Sequence, residues 1–125
     1  MGYESKIIIG EKVERDSELY GFMPFAEFDC GKCGFIKNER DFYEVFSNEI
    51  FYHKNGAYSD GIYINGEPRK TDYYGDKLKY CEISKLIEVL EKSKGEHRKL
   101  DAILGFLKSI DQSEFYSLIA IHFGY

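Results

Sequence analysis

Two cysteines three positions apart, Cys30 and Cys33 in the stretch FDCGKCGF (28–35), are the first side chains here whose type and spacing suggest chemistry. A C-x-x-C pair can supply half of a tetrahedral zinc site, or can cycle between dithiol and disulfide. Zinc needs about four ligands, and a strong sequence signal offers two such pairs. The second pair is missing: Cys81, His53, His97 and His122 remain, and nothing in their spacing selects any of them. A redox pair belongs at the start of a helix that follows a strand. Here the following residues, GKCGFIKNE, carry two glycines and no amphipathic period. The expected reading is a glycine turn that carries two small thiols and holds no cofactor. The alternative is a small zinc-binding domain using Cys30 and Cys33, completed in three dimensions or by a second subunit.

The histidines point to no catalytic centre. His53 precedes the turn signal Asn55-Gly56, His97 lies in EHRK at a helix start, and His122 alternates with Leu118 and Ala120 in an apolar run. A histidine satisfied by its neighbours is the expectation for the last. There is no nucleophile elbow, no phosphate loop and no H-E-x-x-H. No catalytic residue is assigned, and a binding role is expected ahead of an enzymatic one. An enzyme that processes nucleotides or nucleic acid, with His53 as its first candidate residue, is the further alternative.

The segment 52–80 has the composition of a binding surface. It holds six of the eleven Tyr, four of the twelve Gly and five Lys or Arg, interleaved. Tyrosine gives a large, stiff contact area, and Gly, Asn and Ser let loops adapt. Tyr58, Tyr63, Arg69, Lys70, Tyr73 and Tyr74 are the candidate contact residues, because charge and ring stacking together hold an anionic or ring-bearing ligand. The competing reading is a twisted hairpin whose tyrosines only cover the sheet.

The elements that must position these residues follow from periodicity. Residues 3–9, ending in Ile7-Ile8-Ile9, read as a strand covered on both faces, and 10–18 as a charged loop or hairpin connection. A second strand is expected over 19–28, at an edge or carrying a bulge because Pro24 has no N–H to donate. Residues 38–51 fit either a short helix with Phe42, Val45, Phe46 and Ile50 on one side, or a strand. IFYH (51–53 with Ile50), GIYI (61–64) and the turns Asn55-Gly56 and Asn65-Gly66 indicate hairpins. Ile83, Leu86, Ile87 and Leu90 mark a helix opening near Ser84 and ending at Gly95, and Leu100 to Ile110 a second helix folded back on it. SLIAIHF (117–123) reads as a central strand. The expected fold is α+β: one domain over 1–125, a mainly antiparallel sheet with β-hairpins, packed against a C-terminal helical hairpin and closed by a C-terminal strand.

Composition sets outer bounds. A chain of 125 residues with 43% hydrophobic and 31% charged residues is in the ordinary globular range. Its net charge of −5 argues against a phosphate-backbone binder, so a nucleic-acid partner is not expected. No apolar run approaches the ~20 residues that cross a bilayer. MGYESK has no signal-peptide pattern, and Ser5 falls one place short of a myristoylation signal. A cytoplasmic protein with no membrane partner is expected. Three cysteines make a disulfide framework unexpected. A ring-rich domain with an edge strand also has surface to hide, which makes a homo-oligomer plausible.

MGYESKIII, LYGFMPFAEFDCGK, DYYGDKLKYCEISKLIEVLE and LIAIHFGY together resemble small proteins encoded by bacteriophages and prophages of gut and soil Firmicutes. The similarity runs across most of the chain and is strongest in the first thirty and last fifty-five residues. That family has no assigned activity and no catalytic motif to carry over. The resemblance implies a viral context in the host bacterial cytoplasm. By analogy with phage accessory proteins, it implies a protein that binds and neutralises a host factor, either a defence protein or a small nucleotide signal.

Overall fold

Ile7, Ile8 and Ile9 follow one another without a polar break, and such a run is stable in a strand covered on both faces. The computed structural model describes residues 4–15, 18–31, 39–49, 62–64, 67–111 and 118–125. Its first half comprises β1 (Ser5–Arg15), β2 (Glu18–Gly31), α1 (Glu39–Glu44), β3 (Asn48–Glu49), β4 (Ile62–Ile64) and β5 (Glu67–Arg69). β6 (Lys79–Glu82), α2 (Ile83–Glu91), α3 (Arg98–Asp111) and β7 (Leu118–Gly124) follow. Five strands form one sheet in the order β2-β1-β7-β6-β3, with every pair antiparallel. β4 and β5 make a separate ribbon. This is the α+β architecture that the periodicities predict, with β7 at the centre of the sheet.

Alternation along the strands sorts the core into two clusters. Ile7, Ile9, Cys81, Leu118 and Ala120 face the helices and meet Phe42 of α1 and Phe46 just after it, Leu86 and Leu90 of α2, and Leu100, Leu104 and Leu107 of α3. Ile8, Ile119, Ile121 and Phe123 face the other way and cluster with Phe22 and Leu78. Both faces of β7 are therefore buried, as expected of a central strand. The helices lie together as predicted, joined by an ion pair between Lys108 and Glu91. Gly95 stands in the left-handed region at φ 88° and donates its N–H to Asp101 Oδ1 at 2.8 Å. His97 Nδ1 accepts the Lys99 N–H at 3.0 Å and so caps α3. Ser84 is exposed and does not cap α2: Glu82 occupies that position without a side-chain bond.

Three sequence expectations need correction. Of the two readings of 10–18, the hairpin fits and the loop does not: 10–15 continue β1, and β2 begins at Glu18, with Arg15 opposite Glu18. Past Glu11, β1 no longer has β7 beside it, and a two-stranded ribbon tolerates charged side chains that a sheet interior would exclude. Second, β2 runs to Gly31, so Cys30 belongs to a strand and not to a turn. The register slips between Ser5↔Gly31 and Lys6↔Asp29, which leaves Cys30 as the extra residue of a bulge. Third, 38–51 is neither one helix nor one strand, because the short α1 gives way to β3, which pairs with β6. The expected strand IFYH and the turn Asn55-Gly56 lie outside the described residues. So does Asn65-Gly66, although the strands it joins pair up to Ile64↔Glu67.

Pro24 behaves as expected: β2 is an edge strand, and a register slip sets Pro24 opposite Gly10 and leaves Phe25 unpaired. That bulge brings the chain down onto β1. A Cβ on Gly10 would lie 2.4 Å from the Met23 carbonyl oxygen and 2.7 Å from the Phe22 ring. Because the nearer obstacle is backbone, Gly10→Ala should destabilise by about 1–3 kcal/mol. Urea unfolding measures this, and a midpoint equal to wild type would contradict the close approach.

Candidate ligand-binding cavity

An aspartate whose carboxylate accepts the backbone N–H two residues later is a common loop device, and Asp72 builds one here. Its Oδ1 accepts the N–H groups of Tyr74 at 2.8 Å and Asp76 at 3.0 Å. Its Oδ2 accepts the N–H of Gly124 at 3.3 Å, across fifty-two residues of chain. Tyr73 N–H donates to the Gly124 carbonyl at 3.0 Å, and Gly75 turns the chain at φ 88°. Thr71 and Lys77 pair across the base of the turn. β6 pairs with β7 only as far as Lys79↔His122, so this turn takes over as partner for the end of β7. Asp72 is 4% exposed, and a carboxylate at that depth needs such donors. Asp72→Ala should cost on the order of 3 kcal/mol, since three amides lose a charged acceptor. Thermal unfolding checks this, with Asp76→Ala as a milder comparison.

The turn also closes one side of a cavity of about 390 Å³. Asp72, Asp76 and Lys77 line it from the turn, Lys79 and His122 from the sheet, Tyr43 from α1 and Phe46 from the residues just after it. The register sets this arrangement: Lys79 and His122 are opposite one another on the helix-bearing face. The imidazole of His122 lies among rings, its centroid 5.1 Å from Tyr43, 5.4 Å from Phe46 and 6.1 Å from Phe42. Phe42 and Phe46 are buried, so that wall is fixed by the core.

Burial among these rings pushes the His122 pKa down to about 4, although the nearby Asp72 and Asp76 carboxylates pull it back up. The imidazole is therefore neutral at pH 7. Between pH about 6.5 and about 4 an unfolded chain protonates this histidine while the folded chain does not. Stability from this group is complete above that window and is lost as pH falls through it, by on the order of 3 kcal/mol in all. His122→Phe should flatten that part of the profile, measured as urea midpoint against pH. An unchanged slope in the variant would contradict it.

The residues singled out from the sequence are distributed differently. Arg69 and Tyr73 do meet, with the guanidinium carbon 4.4 Å from the ring centroid, but they serve the turn. Arg69 donates to the carbonyls of Thr71 at 2.9 Å and Asp72 at 3.0 Å, and Tyr73 packs edge-on against Phe123 at 5.1 Å. The Tyr74 hydroxyl donates to the Tyr125 main-chain oxygen at 2.8 Å, tying the turn to the chain beyond β7. Tyr73 and Tyr74 each remain 50% exposed. Lys70 is exposed beside them, and its carbonyl accepts the Leu78 N–H at 3.2 Å. Tyr63 falls in β4, while Tyr58 and His53 lie outside the described residues. Among Arg69, Lys70, Tyr73 and Tyr74, whose side chains are described, none lines the cavity, whereas Lys77 and Lys79 of the same segment do.

Cys30 is 1% exposed and directs its thiol at the Phe28 carbonyl, 3.8 Å away. Cys33 lies outside the described residues, so the geometry of the pair is not among them. Among the described residues no three His, Cys, Asp or Glu side chains are grouped to hold a metal. Burial, aided by Glu82, pushes the Cys81 thiol up to about 12, which keeps it protonated and unreactive. No helix among the described residues is long and apolar enough to cross a membrane. Compared with protein-family models, curated proteins and solved structures, the chain matches none.

Proposed function

We propose that this is a non-enzymatic, phage-encoded accessory protein of the host bacterial cytoplasm, which binds a host factor and takes it out of action. The viral context rests on the resemblance of the chain's two ends to phage proteins. The binding role is supported by the cavity at the end of β7, where Tyr43 and Phe46 stand opposite Lys77 and Lys79. About 390 Å³ falls within the range of small-molecule sites, roughly 300–1,000 Å³. Tyr73 and Tyr74, half-exposed on the same turn, add ring surface for a larger partner.

The observation that favours binding over catalysis is the state of His122. General acid–base work is best done by a group whose pKa lies near the operating pH. An imidazole pushed down to about 4 by burial is a weak base, suited to accepting or donating one fixed hydrogen bond. Its neighbours Asp72 and Asp76 keep an enzyme acting on nucleotides as the second reading, and the Cys30/Cys33 zinc domain remains a third.

The deciding experiment uses the intact protein purified from bacterial cytosol. Wild type should carry a small molecule or a cross-linkable protein, released chemically unchanged on denaturation and identified by mass spectrometry. Lys79→Glu should lose it while melting at the wild-type temperature. Cargo that is absent from wild type, equally retained by the variant, or converted to a product would overturn the reading.

A further inference from the structure

Two lysines, Lys77 and Lys79, line the cavity and are exposed to solvent. Lys6, Lys12, Arg40, Lys85 and Lys108 each reach a carboxylate. Among the described residues, no such ion pair engages Lys77 or Lys79. The two stand at alternate positions of one extended segment, so both ammonium groups leave the same side of the chain. That side opens on the cavity. Two ammonium groups that line one cavity and are in no ion pair among the described residues can together attract a doubly charged anion.

The carboxylates nearby do not cancel this field. Asp72 is occupied by the amides of Tyr74, Asp76 and Gly124. Asp76 is exposed at the rim, where water screens it. There it can accept from an exocyclic amine. Across from the lysines, the rings of Tyr43 and Phe46 and the neutral imidazole of His122 form an aromatic wall. Such a wall accepts a flat, uncharged ring by stacking or edge contact.

We infer that the cavity binds a nucleoside monophosphate, with its phosphate on Lys77 and Lys79 and its base against Tyr43, Phe46 and His122. This inference rests on the binding reading above and narrows it to one ligand class. The cavity volume lies toward the lower end of the range for small-molecule sites, which suits one nucleotide unit better than a chain of them. Inorganic phosphate would leave the aromatic wall unfilled, and a nucleoside would leave the two ammonium groups unfilled.

Isothermal titration with AMP, GMP, CMP and UMP, with the matching nucleosides and with inorganic phosphate tests this on the intact protein. At least one monophosphate should bind, with both its nucleoside and inorganic phosphate about tenfold weaker or more. Lys77→Gln/Lys79→Gln should weaken the nucleotide by a similar factor and abolish its salt dependence. Tyr43→Leu should weaken nucleotide and nucleoside together. Melting temperatures identify any variant that has failed to fold, and the single Lys79→Gln then replaces the double. Equal binding of nucleotide and nucleoside, or no binding of any monophosphate at millimolar concentration, overturns the inference. If no monophosphate binds but a host protein cross-links at the cavity mouth, the ligand class falls and the binding reading stands. If a nucleotide binds and is converted, the ligand class stands and the non-enzymatic reading falls.

Discussion

The structure depends on one insertion: β7 must lie between β1 and β6. The sheet has β2 and β1 on one side of it and β6 and β3 on the other, and only β7 joins them. Its residues are buried on both faces, with Ile119, Ala120, Ile121 and Phe123 at 0% exposure. An unpaired strand at that depth would leave its amides and carbonyls without partners, which costs far more than the net gain of any single hydrogen bond. The contacts that place it are among the longest in the chain, from Ile7↔His122 to Glu11↔Leu118. Loop closure over such distances is entropically costly, so the local hairpin β1–β2 and the helical hairpin α2–α3 must supply surfaces onto which β7 docks.

Asp72 finishes that insertion. β6 stops pairing before the end of β7, and the turn after β5 supplies the missing edge through one carboxylate and one amide pair. Because a carboxylate is a small, directional acceptor, it can receive two turn amides and a strand amide at once. The consequence is functional as well as structural. The turn that closes the sheet also holds Lys77 at the cavity, and the strand it closes presents His122 to the same space. The closure of the sheet and the lining of the cavity therefore share residues here.

How much of this was legible in the sequence depended on range. Amphipathic periods located α2 and α3, unbroken apolar runs located β1 and β7, and Pro24 announced an edge strand with a bulge. All of these are local consequences of backbone geometry. The extension of β1 past Gly10 was not legible, because Glu11, Lys12 and Glu14 look like loop residues until a partner strand is known to lie beside them. Cys30 looked like part of a glycine turn for the same reason, since a bulge is a property of two strands. The cavity was least visible. Tyr43 and Phe46 alternate with nothing in particular, and Lys77 and Lys79 sit among other polar residues. Only the register Lys79↔His122 and the placement of α1 over it bring them together. Within the tyrosine-rich segment, Tyr73, Tyr74 and Arg69 hold the turn in shape, while Lys77 and Lys79 beside them line the cavity.

A protein that acts by holding its target, and not by turning it over, must work stoichiometrically, so its affinity has to be high enough to matter at one copy per ligand. The largest controllable cost of binding is the ordering of side chains and loops at the interface, roughly 0.5–1.5 kcal/mol for each mobile side chain. Three walls of this cavity are ordered in advance. α1 is anchored in the core by Phe42 and the chain just after it by Phe46, His122 is fixed in the central strand, and the turn is fixed by Asp72. Only the two lysine stems are left to be immobilised by a ligand. On the proposed binding role, that distribution of rigid rings and flexible cations would favour capture: the lysines would attract an anion from a distance, and the preformed wall would select which anions remain.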